Sequence, residues 1–213
     1  MQFHHFVSRR LPLGVLLFTG IAGPTQAATL SFGGSLVQDD SVGTFSFTLS
    51  DPGTVTLRTF SYAGGTSGNG AVISPGGFDL GLSLFDGGGN LLLNQEDATP
   101  ECDGVASDPV TNECFDSLLV TALAAGDYLV AITQFDNRAM GPSFANGFSQ
   151  TGANFTAIFG CVNGQFCDVD ADSRTAAWAA DVSGVTVVPA PAAGWLLGSA
   201  IGFIGVARGR RAT

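Results

Sequence analysis

The chain predicts an all-β body, an antiparallel β-sandwich, and three observations carry that expectation. Apolar residues alternate with Thr and Ser in short runs, the period of a half-buried strand. Turn residues punctuate those runs, drawn from 30 glycines in 213 residues. No stretch of the body sustains the i, i+3, i+4, i+7 stripe of an amphipathic helix.

The elements follow in order. Thr44-Phe45-Ser46-Phe47-Thr48-Leu49 alternates and ends in the turn Asp51-Pro52-Gly53. Val55-Thr56-Leu57-Arg58-Thr59-Phe60 alternates again, with Val55 and Leu57 on one face. Leu80–Phe85 is a third strand, turned by Asp86-Gly87-Gly88-Gly89-Asn90 into Leu91-Leu92-Leu93. Leu118–Leu123 leads through Ala125-Gly126-Asp127 to an interior strand, Tyr128–Phe135. Phe155–Phe159 and Ala176–Val187 are the last two strand candidates, while Gly64–Gly77 and Asn94–Asp116 read as long loops. Many short strands at turn-punctuated spacing indicate a sandwich.

The two ends differ from the body. Residues 1–27 have the pattern of a secretory signal peptide: Arg9 and Arg10, a short apolar run Leu11–Ile21, then small residues up to a cleavage point at Ala27 or Ala28. A retained membrane anchor is the competing reading. Residues 28–187 then form an exported body long enough for one substantial core. Residues 188–213 begin with Val188-Pro189-Ala190-Pro191, whose prolines end any preceding strand. An apolar run of about 16 residues, 192–207, follows, interrupted by Gly198, Gly202 and Gly205, and Arg208, Arg210 and Arg211 close it. The run falls short of the roughly 17–25 residues of a permanent span, so a short membrane helix with a transient hold is expected.

This tail resembles the PEP-CTERM sorting signal of Gram-negative bacteria, with Ala190 where the usual V-P-E-P has glutamate. The resemblance implies a membrane-embedded processing enzyme, an exosortase, as partner. It implies transient inner-membrane association through residues 192–207, then release to the cell surface or extracellular matrix. A plain C-terminal tail anchor is the alternative. The body resembles prepeptidase C-terminal-like domains in Phe45–Leu49, Gly53–Thr59, Gly77-Phe78-Asp79 with Leu82–Asp86, and Leu123–Ala131. That second resemblance implies a jelly-roll-like sandwich without catalytic residues.

Charge narrows the function further. Only Arg58, Arg138 and Arg174 lie in the body, against all 18 acidic residues, a formal charge of −15 where the whole chain carries −10. Such a surface repels nucleic acid. Both histidines, His4 and His5, fall in the signal segment and the chain has no lysine. Serine–histidine and cysteine–histidine nucleophile systems, lysine Schiff bases and histidine zinc sites are therefore excluded from the exported body. Carboxylate chemistry remains, yet Glu96, Glu101 and Glu113 all occupy one loop, where a solvated acidic surface is the plainer reading than a glycosidase pair.

Cys102, Cys114, Cys161 and Cys167 admit three pairings, among which sequence alone does not choose. Export favours disulfides over free thiols, and the local pairs Cys102–Cys114 and Cys161–Cys167 are the expected ones. Calcium is the one cofactor considered. Asp168, Asp170 and Asp172 space three carboxylates alternately, but Ser173 and Ala179 break the EF-hand pattern. Glu96, Asp97, Glu101, Asp103 and Asp116 form a second acidic cluster able to gather a hard cation. A solvated acidic loop is the competing reading at both places. Trp178 sits in an apolar run and is expected in the core. The functional expectation is a non-enzymatic, exported surface or matrix protein; the alternative is a module binding extracellular polysaccharide or calcium on the same sandwich.

Overall fold

Alternation along the chain becomes two sheets whose inner faces meet. The computed structural model describes residues 26–98, 102–161 and 165–187, which belong to one compact unit, Thr25–Val188. The sorting tail and nearly all of the signal segment lie outside the described residues. Among those described, no helix is long and apolar enough to cross a membrane.

The strands are β1 (Gln26–Ser35), β2 (Gly43–Leu49), β3 (Gly53–Thr59), β4 (Gly65–Thr66), β5 (Val72–Ile73), β6 (Leu80–Asp86), β7 (Leu91–Gln95), β8 (Leu118–Leu123), β9 (Gly126–Gln134) and β10 (Ala177–Val187). One four-stranded sheet runs β1-β10-β3-β8 and the other β2-β9-β6-β7; β4 and β5 form a small hairpin of their own. Neighbouring strands pair antiparallel throughout. The molecule is an all-β, antiparallel sandwich.

Side-chain parity explains the core. On β2, Phe45, Phe47 and Leu49 are buried while Thr44, Ser46 and Thr48 are exposed. On β3, Val55, Leu57 and Thr59 point inward. Leu80, Leu82 and Leu84 of β6 join them, with Tyr128, Val130 and Ile132 of β9 and Trp178, Ala180 and Val182 of β10. Removing these chains from water supplies the main driving force, about 25 cal/mol per Å² of apolar surface. β6 is buried on its outer face too, because the chain after β9 folds over it and sets Phe144 edge-on to Phe85 at 5.4 Å. The Trp178 indole stacks on Phe45 at 6.1 Å, and Phe45 stacks on Phe32 at 4.2 Å, so the tryptophan belongs to the core.

β1 and β10, the first and last strands, zip together from Gln26↔Val187 to Ser35↔Ala177. One bulge interrupts the ladder: Ala28 pairs with Val185 and Thr29 with Ser183, leaving Gly184 as the extra residue. Gly184 has φ 85°, and a Cβ there would lie 2.2 Å from the Thr54 carbonyl, so glycine alone fits.

Some expectations are corrected. Phe155–Phe159 is a 3-10 helix and not a strand. Asn154 enters it at φ 68° and Gly160 leaves it at φ 98°. The Asp39 carboxylate accepts the N–H groups of Asn154 and Thr156 and the Thr156 hydroxyl, holding the turn closed. Gly64–Gly77, expected as loop throughout, contains the β4–β5 hairpin. β7 extends to Gln95, and β9 begins at Gly126 rather than Tyr128.

Candidate functional site

Loops gather at one end of the sandwich, and an arginine locks three of them. Asp168 lies between the second disulfide and β10 and is fully buried. Its Oδ1 accepts the backbone N–H groups of Asp170 at 3.1 Å and Asp172 at 2.8 Å, a local turn that carries Ala171 at φ 69°. Its Oδ2 accepts the Tyr62 hydroxyl at 2.8 Å and Arg174 Nε at 2.9 Å. Arg174 Nη1 reaches Asp108 Oδ2 at 3.1 Å, Nη2 bonds the Tyr62 oxygen, and the guanidinium lies 3.7 Å from the Tyr62 ring centroid. Asp108 Oδ1 in turn caps the N–H groups of Val110 and Thr111.

The electrostatics are those of a clamp. Burial works to raise the Asp108 carboxyl, but the Thr111 and Val110 N–H groups and Arg174 outweigh it and hold the group below its ordinary range. Burial pushes the Tyr62 phenol well above its ordinary value, so it stays a donor. Such a buried pair is costly to break.

Both disulfides form between the local pairs, Cys102–Cys114 and Cys161–Cys167. Cys114 and Cys167 are completely buried, so each bridge anchors its loop to the body. Disulfides of this kind fit an oxidising, extracellular or periplasmic compartment.

The carboxylates of Asp168, Asp170 and Asp172, the calcium ligands expected from the sequence, do not converge in this structure. Asp168 turns inward onto Arg174 and Tyr62, whereas Asp170 and Asp172 are exposed. Alternate spacing built a turn here, not a converging ligand set. Among the described residues no group of three His, Cys, Asp or Glu is arranged to hold a metal. Of the glutamates, Glu96 is paired with Arg138, whose Nη2 lies 2.7 Å from Oε2; Glu101 lies outside the described residues. Asp116 accepts four donors, from Thr59 Oγ1 and the N–H groups of Ser61, Tyr62 and Ala63, and so fixes the chain leaving β3. Val188, Pro189, Ala190, Pro191, Arg208, Arg210 and Arg211 lie outside the described residues.

A groove went unread in the sequence. It covers about 530 Å³ between the β4–β5 hairpin and the outer face of β1 and β10. Ser31, Ser61, Ser67, Asn69 and Thr175 supply hydroxyl and amide groups, and Val72 stands at the rim, 81 % exposed. Asn69 is tied to the floor by its N–H on Ser31 Oγ, and Gly68 N–H holds Asp181 Oδ2 at 2.7 Å. The Gly/Ser/Asn composition of 64–77 was the available signal, but it describes any loop. Phe32, Val72, Ile73, Pro75 and Trp178 make much of the lining apolar, and none of the lining residues is charged.

No family model matches this chain, and no curated protein sequence does.

Proposed function

We propose that the chain is an exported, non-enzymatic protein of the cell surface or extracellular matrix, whose sandwich is the cargo between two processed ends. One observation carries the reading: Gln26 pairs with Val187, so the first and last strands of the sandwich bring the signal-like and the sorting-like sequence to the same edge. Within the body, the buried carboxylates of Asp39, Asp108, Asp116 and Asp168 hold loops, as expected of architecture rather than of acid–base chemistry. The strand order supports the finer fold reading as well. With the β4–β5 hairpin set aside, the eight remaining strands run 1-8-3-6 in one sheet and 2-7-4-5 in the other, the winding of a jelly roll.

In this reading an exosortase-type enzyme removes the tail after the 192–207 segment has held the chain in the inner membrane. Mass spectrometry of the secreted form tests it. The expected species starts at Ala28 or Thr29 and ends near Pro189–Pro191; an exported chain that retains Arg208–Arg211 overturns the sorting proposal.

The groove favours a second role, contact with extracellular polysaccharide. Calorimetric titration with matrix polysaccharide should give heat that Ala71→Trp, which fills the groove from its exposed hairpin, abolishes. No heat with the native chain, or heat unchanged by Ala71→Trp, rejects the groove as a glycan site.

A further inference from the structure

We propose a calcium site at the start of β6, with Asp79 and Asp97 as its carboxylate ligands, a site separate from the Asp168 turn and independent of the export reading. Three segments meet there. The Ser117 hydroxyl lies 3.0 Å from the Leu80 carbonyl and also bonds the Glu96 carbonyl. Ala98 N–H donates to the Asp116 carbonyl at 3.3 Å. The β6–β7 ladder sets Leu82 opposite Gln95, so the chain leaving β7 brings Asp97 up to the first residues of β6.

Into this junction Asp79 turns a carboxyl that is 1 % exposed and whose Oδ1 has no hydrogen-bond donor. Burial, then the charge of Asp97, then that of Glu96, press on that carboxyl. These raise its pKa well above the ordinary range, and a buried carboxyl oxygen without a donor calls for a partner. Among the described residues no cation is placed beside it. Among the described residues the only positive side chains are Arg58, Arg138 and Arg174. They lie over the Phe60 ring, on Glu96, and between Asp108 and Asp168 respectively. Asp116, beside the junction, already accepts four donors and is not a ligand.

The missing partner is therefore positive and comes from solution. Carboxylates, carbonyls and a hydroxyl surround the junction, an oxygen-only set that selects a hard cation. With two carboxylates, the ion completes its shell from carbonyl oxygens and water, which calcium's variable coordination allows. Burial disfavours magnesium, which gives up its water reluctantly. The bound ion would fasten the chain after β7 to β6.

The test uses the full chain, stripped with a chelator and titrated with calcium chloride, following thermal unfolding and the ions bound per chain. One ion per chain is expected, with a rise in Tm of about 5–10 °C at a hundredfold excess over Kd. Asp79→Asn should abolish the rise, and Asp97→Asn, at a half-buried position, should weaken binding by about tenfold or more. Asp170→Asn with Asp172→Asn should leave the rise intact. No calcium-dependent rise in the native chain overturns the proposal. So does an apparent Kd in Asp97→Asn equal to that of the native chain, or a rise lost in Asp170→Asn/Asp172→Asn.

Discussion

Replacing Arg174 with alanine would leave Asp108 and Asp168, side chains 1 % and 0 % exposed, facing each other without the cation that lies between them. Arg174 is itself only 6 % exposed, and all of its contacts are short: 2.9 Å to Asp168, 3.1 Å to Asp108 and 3.7 Å to the Tyr62 ring. Removing one partner of a buried pair costs about 3–5 kcal/mol, chiefly for the charge left behind. That is a large part of the roughly 5–15 kcal/mol that holds a whole domain together. At about 2–4 °C per kcal/mol for a chain of this size, Tm should fall by roughly 6–20 °C. Arg174→Lys keeps the charge but loses the planar fork that reaches two carboxylates at once, so it should recover only part of the loss. Urea unfolding at pH 7 with the disulfides intact gives the number directly. A loss below about 1 kcal/mol, the value of an exposed pair, would refute the claim that this arginine locks the loops.

Two further outcomes follow from the same end of the molecule. Asp108 has its carboxyl held below the ordinary range when folded, so the folded chain binds fewer protons than the unfolded chain as pH falls. Its stabilisation is complete above the unfolded value of about 3.9 and is lost as pH drops through the folded value. Urea midpoints measured from pH 6 to pH 3 should fall more steeply for the native chain than for Asp108→Asn, and parallel curves would contradict this. Removing the disulfides should cost unequally, because Cys102–Cys114 spans 12 residues and Cys161–Cys167 only 6. Chain entropy predicts about 3 kcal/mol for the first and about 2 kcal/mol for the second, measured on paired Cys→Ser variants. An equal or reversed order would show that native-state contacts dominate.

What was legible in the sequence was local. Phe45-Ser46-Phe47-Thr48-Leu49 could be read as a half-buried strand because parity along an extended chain needs no knowledge of the partner. The turn at Asp86–Asn90 was legible for a similar reason: Asp86 accepts the N–H groups of Gly88 and Asn90 within its own loop. The strand Gln26–Ser35 was hidden by its position against the signal-like segment, and only its pairing with residues 177–187 makes it a strand. Phe155–Phe159 was too short for its alternation to separate a strand from a helical turn, and Asp39, over a hundred residues away, decided the matter.

The same division governs function. Composition alone determined that residues 28–187 have no histidine or lysine and are strongly acidic, and the patterns at both ends of the chain read as addresses. Only the tertiary structure decided which acids are ligand candidates and which are struts. Asp168 looked like the first member of a cation loop and became the anchor of Arg174, while Asp79, which no chemical motif singled out, is buried with no donor on Oδ1. The physical reason is that a carboxylate's role depends on the donors and charges around it in space. Those arrive from strands far apart in the chain, and no local pattern encodes them.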